Sequence, residues 1–231
     1  PGQTRADLDD TLDHTIRLGA NRVALFGYAH VPHMIPRQQR INADNLPGQE
    51  ERFHMAEFGF GKLTAAGYTG VGFDHFALPG DPLAQAATSG RLRRNFQGFT
   101  DDRAQSVIGL GASSISSFPT LLAQNEKNAG RYRMLLSQDC LTASGGKARS
   151  VDDRRRGAVI EELLCRGRAR IERALLDDAW PRLAPYVETG LCGMDNGQLV
   201  IEPHALPYAR SIAACFDPYR QPAGRRFSSA V

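Results

Sequence analysis

Arg22-Val-Ala-Leu-Phe-Gly-Tyr28, written RVALFGY, is the stretch on which the fold class turns. It is a continuous apolar run without alternation, the kind a parallel sheet buries on both faces. Upstream, Thr4 with Asp7 three residues later makes a capping-box start, and Leu8, Leu12 and Ile16 recur at helical spacing until Gly19. Downstream, the Pro-rich loop HVPHMIPRQQRI leads to a second predicted helix at roughly 48–66. There Phe53, Ala56, Phe60 and Leu63 share a face and Gly67 caps the end. Gly59 and Gly61 each cost that helix about 1 kcal/mol relative to Ala. A further apolar segment, YTGVGFDHF (68–76), reads as a strand. Helix, strand, loop, helix, strand is the rhythm of a parallel α/β fold, which places its chemistry on loops at the carboxyl ends of strands.

Further along, VIGLGASSISS (107–117) reads as a strand entering a turn where the backbone approaches a ligand closely. It lacks G-x-G-x-x-G, so a dinucleotide fingerprint is not supported. SQDCLTASGGKARSV (137–151) is small and polar and reads as a linker. Beyond it, Ser150 or Asp152 caps a helix carrying Val159, Ile160, Leu163 and Leu164, and a basic helix and another around 179–189 follow. Asn196-Gly197 between apolar segments predicts a type I′ hairpin, and a last helix starts near Pro207 and runs to about Cys215. The expected organisation is an α/β unit over 1–136, a linker over 137–151, and a mostly helical, winged-helix-like unit over 152–231.

The 231 residues, 42% hydrophobic and 23% charged, suffice for a substantial core and argue against wholesale disorder. No apolar run approaches the ~18–20 residues that span a bilayer, and PGQTRADLDD has neither a basic nor an apolar leader region. Cys140, Cys165, Cys192 and Cys215 are spaced like neither a disulfide scaffold nor paired zinc ligands. Reduced thiols and a cytoplasmic location are therefore expected, with no membrane partner. The net charge of +3 is small, but Lys147–Arg173 holds nine Lys/Arg against five Asp/Glu. That stretch is either a solvated helix face or a set of phosphate contacts.

Three histidines, His30, His33 and His75, follow predicted strands, and the pairs Tyr28-Ala29-His30 and Asp74-His75 sit at neighbouring strand ends. An Asp beside a His can fix its tautomer and suit it to proton transfer, which makes His30, Asp74 and His75 the catalytic candidates. They form no convincing set of three or four metal ligands. In GRLRRNFQGFT (90–100), Arg91, Arg93 and Arg94 offer forked bonds to carboxylates or phosphates. Phe96 and Phe99 offer flat apolar surface, and Gln97 an amide between them. A flat ligand, apolar in the middle and carboxylated at its rim, suits this combination.

GYAH (27–30), GFDHFALPGDPLAQA (72–86), RNFQGFT (94–100), GLGASSIS (109–116), AQNEK (123–127) and the ending CFDPY…FS occur in this order. Together they resemble the C-terminal half of oxygen-independent coproporphyrinogen III oxidase, a radical S-adenosylmethionine family of haem biosynthesis. RNFQGFT is the most specific part. The resemblance implies a partial (β/α) barrel followed by a helical domain. It also implies two S-adenosylmethionine molecules, a 4Fe–4S cluster with an external reductant, and conversion of two propionates of coproporphyrinogen III to vinyls. By position, Ala29 resembles a contact to the cluster-bound S-adenosylmethionine, and Ile115, Phe96 and Gln97 the wall of the second site. The arginines would then be available to substrate propionates. The cluster motif C-x-x-x-C-x-x-C is absent from this sequence. The expectation is therefore a portion of the enzyme, inactive without the N-terminal half of the barrel. The competing expectation is a non-catalytic binding module whose basic helical unit contacts nucleic acid or a partner protein.

Overall fold

In the computed structural model, residues 1–220 are described. Helix α1 (Arg5–Arg17) opens on the expected capping box. The Asp7 N–H donates to Thr4 Oγ1 at 3.2 Å and the Thr4 N–H to Asp7 Oδ2 at 2.8 Å. After β1 (Arg22–Ala24), two 3-10 turns (Pro36–Arg40 and Ala43–Asn45) lead to α2 (Gln49–Ala65), β2 (Thr69–Val71), β3 (His75–Ala77) and α3 (Pro82–Thr88). Then come β4 (Arg93–Asn95), β5 (Gly98–Thr100), β6 (Ile115–Ser117), β7 (Leu121–Asn125), α4 (Ala129–Ser137) and β8 (Ala143–Ala148). The rest comprises α5 (Val151–Arg166), β9 (Arg168–Arg170), α6 (Arg173–Glu188), β10 (Cys192–Asp195), β11 (Gln198–Ile201), a 3-10 turn (Pro203–Tyr208) and α7 (Ala209–Ala213).

The chain is α/β, but among the described residues the parallel sheet predicted from its rhythm does not form. The strands make sheets β1-β3-β2, β4-β5, β6-β7-β8 and β10-β11-β9, and every neighbouring pair is antiparallel. Residues 68–76 are two strands, with Val71 opposite His75 across a Gly72-Phe73-Asp74 turn. Gly72 sits at φ +65°, where an L side chain is strained, and a Cβ there would lie 2.0 Å from the Phe99 ring. The turn is thus fixed by the absence of a side chain. RVALFGY is likewise not buried on both faces. Its ladder stops at Ala24 on an edge strand, leaving Phe26 66% and Tyr28 42% exposed.

Three apolar clusters carry the fold. The first joins α1 to α2 and β3 through Leu8, Leu12, Met55, Leu63 and Phe76. The second gathers Val71, Leu83, Leu92 and Phe99 with Cys165 of α5. The third lies among α5, α6, α7 and the β9–β11 sheet, with Leu163, Leu183, Leu199, Ile212 and Phe216 essentially closed to solvent. Phe73 packs against both the second and third clusters, so that turn and α5 join them.

Residues 137–151 are not a free linker. They contain β8, whose exposed small residues pair with β7, and a Cβ on Gly146 would lie 2.8 Å from the Leu122 carbonyl oxygen. Helix α5 is capped by Ser150 with Asp153 at N3, and Gly167 closes it at φ +66°. The basic stretch after α5 is strand β9, paired with β11, rather than a helix, and the helix expected around 179–189 starts at Arg173 and tolerates Pro181 and Pro185 inside it. The Asn196-Gly197 hairpin forms as expected, with φ of +48° and +77°. Pro207 lies within the 3-10 turn, so the last α-helix begins only at Ala209. The Phe227-Ser228 ending lies outside the described residues.

Candidate functional site

The site grows from the β4–β5 hairpin, which closes through only two residues, Phe96 and Gln97. Asn95 Oδ1 accepts the Gln97 N–H at 2.8 Å, and Gly98 at φ +132° completes the reversal. This puts the Phe96 ring at the tip, 56% exposed. The Gln97 side-chain amide has no partner among the described residues. An exposed ring next to an unspent amide suits a planar ligand with a hydrogen-bonding edge.

Below the tip, Phe99 is buried and anchors an aromatic cluster. Phe73 and His75 meet it edge-on at centroid distances of 5.6 and 5.3 Å. The Arg94 guanidinium lies 5.3 Å from Phe99 and 5.5 Å from Phe73, where ring quadrupoles attract it. Arg210 approaches Phe73 at 5.7 Å. Asp74 and His75 are brought together, Nδ1 to Oδ1 at 2.6 Å, which can hold the ring in one tautomer. His30 is not part of that pair: its ring contacts the Tyr28 hydroxyl at 3.4 Å, and His33 is exposed.

The three arginines do not converge. Arg93 and Arg94 alternate across a strand and so leave on opposite faces. Arg93 makes a forked pair with Glu161 of α5, with Nε to Oε1 at 2.6 Å and Nη2 to Oε2 at 3.4 Å. That carboxylate also raises the Arg93 pKa. Arg91 donates through Nε to Ser89 Oγ at 2.9 Å. Glu161 lies 68 residues from Arg93, and nothing local in the sequence signals the pair.

Ala29 and Ile115 sit in two further segments. The Ala29 carbonyl accepts from Gln38 Nε2 at 3.0 Å, and Gln38 Oε1 accepts the Val31 N–H at 2.5 Å, so one amide braces the loop after β1. Ile115 is half-buried in β6 opposite Gln124. The close approach expected in GLGASS is made by the chain itself: a Cβ on Gly109 would lie 2.8 Å from the Ile115 backbone. Asn125 reaches the Gly109 and Gly111 carbonyls and Ser114 Oγ through Nδ2 at 3.0 to 3.1 Å and holds that loop. A cleft of about 250 Å³ between α2 and the Pro203–Tyr208 turn is lined by Leu25, Phe60, Phe73, Asp74, His204 and Arg210.

The cysteines do not fit an iron–sulfur cluster, which needs converging thiolates. Cys140 is exposed, while Cys165, Cys192 and Cys215 are buried. Burial pushes the Cys165 thiol up to about 12, with Glu161 adding to it, and the Cys192 thiol up to about 11. Both shifts oppose ligation. No group of three or more His, Cys, Asp and Glu among the described residues could hold a metal ion.

Among the described residues, four of the nine Lys/Arg in the basic Lys147–Arg173 stretch form ion pairs. Arg155 meets Glu172, Arg156 meets Asp152 and Asp178, Arg166 meets Glu162, and Arg173 meets Asp177. No helix among the described residues is long and apolar enough to cross a membrane.

No family model matches the chain. It is 37% identical to an oxygen-independent coproporphyrinogen III oxidase of Cereibacter sphaeroides, over 97% of this chain and 52% of the relative. It is 34% identical to one of Thermostichus vulcanus, over the whole chain and 75% of that relative. A solved structure of the Escherichia coli coproporphyrinogen III oxidase, titled a radical SAM enzyme, superposes with a TM-score of 0.87 at 31% identity. That match covers 95% of this chain and 53% of the other. The chain thus spans about half the length of most of the relatives it matches.

Proposed function

The chain belongs to the oxygen-independent coproporphyrinogen III oxidase family, and from that premise we propose that it is the C-terminal portion of such an enzyme. The enzyme carries out oxidative decarboxylation of two coproporphyrinogen III propionates to vinyls, giving protoporphyrinogen IX. In this reading residues 1–136 belong to the partial barrel and 152–231 form the winged-helix-like unit, with 137–151 between them. The order α5, β9, α6 and the β10–β11 hairpin supports that description.

The carrying observation is the hairpin tip, where the exposed Phe96 ring and the unspent Gln97 amide stand together. These two, with Ile115, would hold the second S-adenosylmethionine, and Ala29 would contact the first. S-adenosylmethionine, when bound, supplies the radical chemistry; this chain's residues bind and orient it. Arg94 and Arg91 are the remaining candidates for substrate propionates, because Glu161 already occupies the Arg93 fork. Asp74 and His75, in contact at 2.6 Å, would do the proton work. The 4Fe–4S cluster belongs with ligands outside this sequence, together with its reductant and the rest of the barrel, and the location is cytoplasmic. Alone, the chain is inactive.

Saturation-transfer NMR with S-adenosylmethionine tests the site directly. The folded chain should show transfer to the adenine protons, lost in Phe96→Ala and Gln97→Ala. Transfer that survives both substitutions, or none in the folded wild type, would overturn the assignment.

A further inference from the structure

Helix α5 meets the β4–β5 hairpin twice on one face, because Glu161 and Cys165 are four residues apart. Cys165 enters the cluster that holds Leu92 and Phe99. Glu161 takes the edge of β4: besides its forked pair with Arg93, its Oε1 accepts the Arg94 backbone N–H at 3.0 Å. That N–H is available for a geometric reason. Asn95 and Gly98 close a two-residue hairpin as a hydrogen-bonded pair, so the next pair, Arg94 and Phe99, is non-bonded and the Arg94 N–H points off the ladder. One carboxylate therefore satisfies both a guanidinium and an orphan backbone donor on adjacent residues. Its side chain is only 26% exposed, so these charge-assisted bonds are partly shielded from water.

We infer that Glu161 is a positioning residue that fixes the hairpin tip, holding Phe96 and Gln97 in place from the helical unit. The consequence for cofactor binding rests on the reading of those two residues given above; the clamp itself does not. Arg94 is two residues from the tip, and the strand between has no slack, so releasing its N–H and the Arg93 fork frees the tip to move as a unit. The C-terminal helical unit would then set the geometry of the pocket wall.

The test compares Glu161→Ala, Glu161→Gln and wild type by amide hydrogen exchange and ¹⁵N relaxation in the same chain. In Glu161→Ala, exchange at Arg94 should accelerate about tenfold or more, as expected for losing a bond to a charged acceptor. The Gln97 amide should show increased motion, while protection at Leu183 and Leu199 stays unchanged and certifies the fold. Glu161→Gln, which keeps an acceptor for the Arg94 N–H, should recover most of that protection. Unchanged Arg94 exchange and Gln97 motion in a folded Glu161→Ala chain would overturn the clamp. Equal behaviour of the Gln and Ala variants would overturn the part assigned to the backbone bond. S-adenosylmethionine affinity is read separately: it should fall about tenfold in Glu161→Ala. Failure of wild type to bind would sink the cofactor reading while leaving the exchange result to decide the clamp.

Discussion

Gly72→Ala should be among the most damaging single-methyl changes in this protein. Two costs combine. An L residue at φ +65° carries about 1–2 kcal/mol of left-handed strain. The new methyl would also lie 2.0, 2.4 and 2.7 Å from three atoms of the Phe99 ring. That ring is buried and wedged between Phe73 and His75, so it has no ready retreat, and overpacking of this kind costs about 1–3 kcal/mol. The total, roughly 2–5 kcal/mol, corresponds to a fall in Tm of about 5–20 °C for a chain of this size. Urea denaturation followed by circular dichroism measures it, with Gly61→Ala as the control. Gly61 lies inside α2, and nothing is within 4 Å of the place a methyl would take, so that substitution should stabilise by about 0.5–1 kcal/mol. A cycle with Phe99→Leu separates the two costs, since a smaller side chain relieves the clash and leaves the strain. A Gly72→Ala chain within about 0.5 kcal/mol of wild type would refute the account of the turn. No coupling to Phe99 would refute its steric half.

Two further outcomes follow from burial and charge. Of the four thiols, Cys140 should react quickly with a disulfide reagent in the native chain, while Cys165 and Cys192, with pKa pushed to about 12 and 11, should react only on unfolding. Rapid native labelling of either buried thiol would contradict the packing. Asp81 pairs with Arg22 at 2.8 Å and caps α3 by accepting the Leu83 N–H, and the Arg22 bond holds its carboxyl below the usual range. A depressed folded pKa contributes stability that is complete above the unfolded value of about 3.9 and is lost as pH falls through the folded one. The stability gap between wild type and Asp81→Asn should therefore be constant near neutrality and shrink below about pH 4; a gap independent of pH there would remove the ion pair from the account.

What the sequence disclosed divides by range. The Thr4 and Asp7 cap, the Ser150 cap and the Asn196-Gly197 hairpin are settled by neighbours within three residues, and each appears where the residues put it. RVALFGY and 68–76 mislead because an apolar run is compatible with a buried strand, a loop or a hairpin; RVALFGY leaves the ladder after Ala24, and 68–76 turns back at the left-handed Gly72. Its requirement comes from Phe99, 27 residues away in sequence. Gly59 is legible in the sequence only as a helix cost. In the fold, a Cβ there would lie 2.2 Å from Leu25 Cδ2, so the glycine is what lets α2 lie close against the segment after β1.

The same division governs the site. Arg91, Arg93 and Arg94 look alike as a cluster of positive charge, and charge counting assigns them one role. Strand alternation and a helix 68 residues on give them three: Arg93 is spent on Glu161, Arg94 lies against two rings, and Arg91 holds a serine. The basic run at 147–173 behaves in the same way in part: Arg155, Arg156, Arg166 and Arg173 are taken up in ion pairs along and between α5 and α6. Residue type in a local window is enough to single out RNFQGFT, which does present a ring and an amide to solvent. Which of its charges remain for a ligand depends on the acceptors that the fold brings to them, and here the deciding acceptor is Glu161.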